Sequence, residues 1–175
     1  MFAEMKRVWL YVVLLTVLML SAADVAAQRI AYDERVPKIN LKKCNWLDDI
    51  VPEESDFVYI GFVYSRSETC LDFCYAMRQQ IERMEHPMTL ILVTREPSEM
   101  IESHIREFLG AHVGMIIDDS GRIFREFGVR YVPFGVLVDY KWRALWFGNP
   151  LTADRDLFKN MPRKDIKERK KSKKR

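Results

Sequence analysis

The residues with the clearest capacity for chemistry are the three cysteines Cys44, Cys70 and Cys74. A thiolate is a strong nucleophile, and two thiols within reach of each other can form a disulfide. In a regular helix, Cα atoms four positions apart, as in Cys70 and Cys74, lie about 6 Å apart, near the upper limit for a disulfide. A bridge between them therefore requires an unwound first turn. All three cysteine pairings remain open, as does a role for Cys70 and Cys74 as small buried helix residues.

Apolar runs and amphipathic segments alternate around these cysteines. Residues 57–64 form a continuous β-type apolar run, typical of a strand that is covered on both faces. Helical spacing follows over residues 69–85, and residues 88–94 predict a second buried strand. The remaining predicted elements are a helix from the N-cap Ser98 to Gly110, a strand at 113–117, a short helix at 123–127, strands at 135–138 and 143–147 joined around Tyr140-Lys141, and a last helix capped by Thr152.

This order of elements predicts the fold class. A strand, a helix and a second strand require parallel pairing through a right-handed crossover. The closing hairpin adds antiparallel strands. The chain is therefore predicted to be an α/β protein with a central mixed sheet and helices on both faces.

The N-terminus predicts export. Lys6 and Arg7 precede an apolar run at residues 8–20, and small residues then lead to a cleavage site before Gln28. The apolar run is shorter than the roughly 20 residues that span a bilayer. Residues 1–27 are interpreted as a signal peptide, with an uncleaved membrane anchor as the alternative, and the expected location is periplasmic or secreted. A leader linker at 28–36 and a folded domain at 37–161 follow.

The C-terminal residues 162–175 predict a disordered basic tail. Residues 163–175 hold nine basic and two acidic residues, a net charge of +7, so the rest of the chain has 3 − 7 = −4. Such a run favours a solvated segment with weak attraction to an anionic membrane surface. No aromatic residue is interleaved with these charges, and no nucleic-acid partner is expected.

Several motifs occur in the order found in the thioredoxin fold. They are Trp46-Leu47, the strand FVYIGF at 57–62, RYVPF at 130–134, the strand VLVD at 136–139, and WFGNPL at 146–151. Over residues 37–161 the sequence resembles the exported TlpA/ResA-like thiol–disulfide proteins. The resemblance implies a cis-proline at Pro133 beside the redox turn, with Val132, Pro133 and Arg66 facing a substrate chain. It also implies thiol chemistry without a cofactor.

The redox turn itself departs from that family. The resemblance places its two cysteines at positions 67 and 70, and the sequence has Ser67-Glu68-Thr69-Cys70. A serine cannot form a disulfide, so a two-thiol cycle through 67 and 70 is excluded. Arg66 also stands where the family has Trp, and Gly61 where it has a buried acid. Cys70 as nucleophile with Cys74 or Cys44 as resolving thiol remains open.

Two functions are therefore carried forward. The first is a divergent thiol–disulfide oxidoreductase that acts on exported proteins through Cys70, Cys74 and Pro133, with Ser67 at the nucleophile position. The second is a redox-inactive binding module for a partner protein. A CxxxC on this fold also resembles the copper-delivering Sco-like proteins, but His86, His104 and His112 lie outside the required position, so no metal is predicted. The oligomeric state is left open.

Overall fold

The computed structural model describes residues 30–83 and 88–152, which form one five-stranded mixed sheet. Its strands are β1 (Phe57–Phe62), β2 (Met88–Thr94), β3 (Val113–Ile117), β4 (Phe134–Asp139) and β5 (Ala144–Gly148). Their spatial order is β3-β2-β1-β4-β5. β1 pairs in parallel with β2 and antiparallel with β4, so it lies at the centre. Every residue of β1 to β4 is buried, as expected for strands covered on both faces.

The helices lie on the two faces of this sheet. They are α1 (Glu68–Arg83), α2 (Ser103–Arg106) and α3 (Arg122–Glu126), with 3₁₀ turns at Leu41–Lys43, Leu47–Asp49, Ser98–Met100 and Pro150–Thr152. The first core, here the α1 core, packs Phe73 and Met77 of α1 against alternate strand residues such as Tyr59 and Leu92. The second, the α3 core, contains Phe124 of α3 on the opposite face. The predicted α/β class with a mixed sheet is confirmed.

The predicted helix from Ser98 to Gly110 is wrong. Ser98 begins a 3₁₀ turn with Pro97 in the cap position, and Ile101 is extended, with φ −75° and ψ 120°. Ile101 and Ile105 are both buried in the α1 core, with the backbone extended at Ile101 between the 3₁₀ turn and α2. Arg106 supports the break, because its Nη2 donates to the Ser98 carbonyl at 2.6 Å and its Nε to the Ile101 carbonyl at 3.4 Å.

The predicted linker at 28–36 also needs correction, because its described part belongs to the domain. Ile30 and Val36 are buried in the α3 core. The Asp33 N–H donates to the Ala144 carbonyl at 2.8 Å, and the Ala144 N–H donates to the Glu34 carbonyl at 2.9 Å. This segment therefore covers part of the free edge of β5. The predicted signal peptide, the last helix beyond Thr152 and the basic tail lie outside the described residues.

Two glycines opposite each other make room for an aromatic row on the α1 face. Gly61 of β1 is paired with Gly135 of β4. The hydroxyl of Tyr59 occupies the space where a Cβ on Gly135 would stand, and that Cβ would lie 2.6 Å from Tyr59 Cζ. The Tyr59 ring continues the row, with centroids 5.7 Å from Phe73 and 6.1 Å from Trp146. Gly61 leaves room for the Phe73 ring of α1, and Gly135 leaves room for the Tyr59 ring. The two glycines therefore allow α1 to pack closely against the sheet.

We expect Gly135→Ala to lower the free energy of unfolding by about 1–3 kcal/mol, because a buried Tyr59 ring must move from its packed position. Gly110→Ala is the matched control, since a Cβ there meets nothing within 4 Å. We expect the control to change stability by less than about 0.5 kcal/mol. Urea unfolding followed by circular dichroism measures both, and equal midpoints for the two variants would contradict the packing argument.

Candidate functional site

The turn between β1 and α1 is capped by Ser67. The Ser67 carbonyl accepts the Leu71 N–H at 2.9 Å, and its Oγ accepts the Cys70 N–H at 3.4 Å. This is the geometry of an N-cap serine, whose oxygen satisfies a free N–H of the first turn. Glu68 follows in that turn, where the positive end of the helix dipole favours a carboxylate. The predicted nucleophile position therefore has a structural role.

A carboxylate that the sequence analysis missed holds the same turn from the next loop. Glu96 follows β2, and its Oε2 accepts the Ser65 N–H at 2.5 Å while its Oε1 accepts the Ser65 hydroxyl at 3.2 Å. Thr94 Oγ1 donates to the same carboxylate at 3.2 Å. Glu96 lies 31 positions from Ser65, so only the parallel pairing of β1 with β2 brings them together.

Cys70 and Cys74 are both buried within a regular part of α1. Each residue has a relative exposure of 1%, and both thiols are free. The Tyr64 N–H donates to Cys70 Sγ at 3.4 Å. Burial, followed by the neighbouring Cys70, raises the pKa of Cys74 to about 12 from an ordinary 9.0. α1 begins before Cys70, so the unwound first turn that a Cys70–Cys74 disulfide requires is not present.

Cys44 lies apart from the other two cysteines. It packs against the α3 core, whereas Cys70 and Cys74 belong to the α1 core on the other face of the sheet. Its thiol donates to the Asn40 carbonyl at 3.3 Å. Burial raises its pKa, and the nearby Arg122 partly opposes that shift. The sheet therefore separates Cys44 from Cys70 and Cys74, which corrects the interpretation of Cys44 as a resolving or bridging partner.

The proline segment lies at the same end of the sheet as the capped turn. β1 ends at Phe62 opposite Phe134, where β4 begins, so the turn at 64–67 and the segment before Phe134 leave from adjacent strand ends. The Val132–Pro133 peptide bond is cis. Pro133 is buried, and Val132 is half-buried and contacts both cores. Within the described residues, no hydrogen bond engages the backbone of Tyr131 or Val132.

An aromatic ring fills the space beside Gly61, where the resemblance leads one to expect a buried acid. A Cβ on Gly61 would lie 2.8 Å from Cε1 and 3.0 Å from Cζ of Phe73. Phe73 has a relative exposure of 2% and contacts Tyr59 in the aromatic row. The structure therefore has no room for a carboxylic side chain here, and proton transfer through this position has no acceptor.

Other predicted groups have local explanations. Asp118 is buried and its Oδ2 accepts the Phe124 N–H at 3.0 Å, so it supports the start of α3. Nδ1 of His104 in α2 lies 3.2 Å from Oε2 of the cap residue Glu102, and His86 lies outside the described residues. Across residues 30–83 and 88–152, no three His, Cys, Asp or Glu side chains form a group that could hold a metal.

Comparison with known proteins identifies the fold. No family model matches the sequence, and no curated protein matches it. Among solved structures, a mutant of PrxQ from Xylella fastidiosa is similar with a TM-score of 0.55 and 9% identity over 85% of this chain and 100% of that one. A thioredoxin-like protein from Aeropyrum pernix is similar with a TM-score of 0.50 and 18% identity over 70% and 81%.

These likenesses and the sheet order define a thioredoxin-like fold. The predicted fold is thereby confirmed. None of the helices that the structure describes is both long and apolar enough to cross a membrane.

The buried thiol of Cys74 generates a pH prediction. A thiol whose folded pKa is raised stabilises the fold below its unfolded pKa, and this contribution is lost as pH rises because only the unfolded chain ionises. We expect unfolding free energy to fall above pH 9.0, the ordinary value for Cys74. The loss from this thiol is at most about 1.4 kcal/mol per pH unit. Cys74→Val should make the decline shallower.

Urea unfolding in reducing buffer from about pH 8 to about pH 10.5 measures this slope. Cys44→Val is the matched control, because Cys44 is half-buried and its titration changes less on unfolding. If Cys74→Val retains the full wild-type slope, the buried thiol is not the titrating group.

Proposed function

We propose that this protein is a thioredoxin-fold binding module that holds an extended segment of a partner protein at the Val132–Pro133 edge, without thiol–disulfide turnover. The observation that supports this most directly is the capped turn. Ser67 occupies the position of an attacking thiol, and its oxygen is already engaged with the Cys70 N–H.

Three features of the site argue against redox turnover. Cys70 and Cys74 are 1% exposed, and thiol exchange requires in-line access to a sulfur. The raised pKa of Cys74 leaves a very small thiolate fraction at neutral pH, and the thiolate is the reactive form. The ring of Phe73 fills the space that a buried acid at position 61 would need.

The backbone that precedes β4 has the geometry of an edge to which a further strand can be added. The backbone of Tyr131 and Val132 has no hydrogen-bond partner among the described residues, and it precedes a buried strand. An extended chain can pair with such backbone groups by strand addition. The Ser67 cap and the Glu96 contacts fix the turn at 64–67, which leaves from the adjacent strand end.

A thiol–disulfide oxidoreductase remains the second candidate, because Cys70 accepts the Tyr64 N–H and lies one helical turn from Cys74. In this candidate Cys70 attacks a partner disulfide and Cys74 resolves the mixed disulfide, which requires the first turn of α1 to open.

We propose export as well, on the sequence at residues 1–27, and exported proteins as partners. The basic tail at 162–175 is proposed to associate weakly with anionic membrane surfaces. Both proposals come from composition and charge pattern.

The decisive experiment equilibrates the purified protein in graded dithiol redox buffers and counts free thiols. We expect no two-electron transition for the wild-type protein. In Ser67→Cys, two thiols at positions 67 and 70 stand at a helix N-terminus, so we expect a reversible two-electron transition. Ser67→Ala is the matched control, and it should lose about 1 kcal/mol of stability with the cap and show no transition.

A wild-type transition that disappears in both Cys70→Ser and Cys74→Ala would overturn the binding-module proposal and establish the oxidoreductase. An inert Ser67→Cys variant that still folds would show that the turn is not built like a redox turn. Circular dichroism of each variant separates loss of folding from loss of redox response.

A further inference from the structure

We infer that the partner segment held at this edge is acidic, because exposed arginines surround the capped turn. This inference rests on the proposed binding function and specifies the chemistry of its partner. The chain outside residues 163–175 has a net charge of −4, so a local cluster of arginines stands out against an acidic domain.

The arginines come from two loops and the helix α3 at one end of the sheet. Arg66 lies in the turn itself and is exposed. Arg95 precedes Glu96, whose bonds to Ser65 join its loop to that turn. Arg125 of α3 comes close to Arg95, because a Cβ on Gly121 would lie 3.1 Å from Arg95 Nε and 3.4 Å from Arg125 Nη1. We call Arg66, Arg95 and Arg125 the arginine cluster.

The charges of this cluster are available to a partner. No ion pair involves Arg66, Arg95 or Arg125 within the described part of the chain. Arg125 Nη1 donates to the Ser120 carbonyl at 2.7 Å, which fixes the position of that guanidinium without neutralising it. Glu96, the residue after Arg95, accepts hydrogen bonds from Ser65 and Thr94 and forms no ion pair among the described residues.

Aromatic rings hold the cluster beside the binding edge. The guanidinium of Arg95 lies 6.0 Å from the Phe124 centroid, and the Tyr64 ring stacks on the same Phe124 at 6.5 Å. Tyr131, which is 51% exposed, contacts Phe134 at 5.7 Å next to Val132. Tyrosine and arginine are the residue types enriched at protein interfaces.

An extended acidic peptide fits both halves of this surface, which are the strand edge at Val132 and the arginine cluster. Its backbone can pair with Val132, and its carboxylates can pair with guanidinium groups, which bind carboxylates in a bidentate manner. A single small anion would use the arginines without the strand edge. The two halves together therefore favour a polypeptide with several carboxylates.

The test uses the whole purified protein and fluorescein-labelled peptides of about eight alternating Glu and Thr residues, with fluorescence anisotropy as the readout. A Gln/Thr peptide removes the charge, and a Glu/Thr peptide with alternate N-methylated amides removes strand pairing. We expect only the unmodified Glu/Thr peptide to bind. Raising NaCl from about 0.05 M to about 0.5 M should weaken that binding at least about 10-fold, because exposed charges are screened.

Arg66→Gln/Arg95→Gln should weaken binding about 10-fold, because each exposed charge pair contributes a few-fold to the affinity. Lys38→Gln/Lys42→Gln is the matched control. It removes the same charge from exposed residues beside Val58, toward the start of β1, and should leave the affinity unchanged. Equal loss in both double variants would mean that only net charge matters and would overturn the inference.

Three further outcomes would also overturn it: equal binding of the Gln/Thr peptide, equal binding of the N-methylated peptide, and displacement by inorganic phosphate at matched ionic strength. Absence of all peptide binding in a protein whose thiols remain inert would reject the acidic partner. A wild-type redox transition would instead reject the proposed function itself, so the two failures are distinguishable.

Discussion

The central strand β1 is the constraint on which the rest of the molecule depends. All six of its residues are buried, because it has strands on both sides and a core on each face. Its alternate side chains contribute to opposite cores and so set which face each neighbouring helix covers. The end of β1 then fixes the start of α1, and the strand ends beside it fix the loops of Glu96 and Pro133. The candidate site is thus assembled by strand ends that cannot shift independently.

Around that site, the hydroxyl, thiol and carboxyl groups of the chain stabilise the fold. The serine at position 67 caps a helix of 16 residues, and the thiols below it pack as core residues. Glu96 accepts hydrogen bonds from the backbone and hydroxyl of Ser65 and from the hydroxyl of Thr94, and so links the turn to the end of β2. Among the described residues, this end of the sheet exposes charged side chains and the unpaired backbone of Tyr131 and Val132, on which the proposed binding function depends.

The sequence predicted much of this because the relevant signals are local. Buried strands such as Met88–Thr94 and Val113–Ile117 are uninterrupted apolar runs, and both were predicted with the observed bounds. The broken helix at Ile101 was missed, because the burial of Ile101 and the support from Arg106 depend on the α1 core. The contacts of Glu96 were missed for the same reason, since a loop glutamate has no distinguishing neighbours in the sequence. The location of Cys44 also depends on tertiary structure, because spacing does not show which face of a sheet a cysteine occupies.

The Phe73 ring beneath Gly61 also bears on how the chain can change over evolutionary time. An acidic residue at 61 cannot enter while the ring is present. Truncating the ring first would leave a cavity that costs about 3–5 kcal/mol, a large share of the stability of a small domain. A change from Gly61 and Phe73 to an acid with a smaller neighbour therefore passes through a destabilised single variant. The two positions are therefore expected to vary together among descendants of this chain or to remain unchanged together.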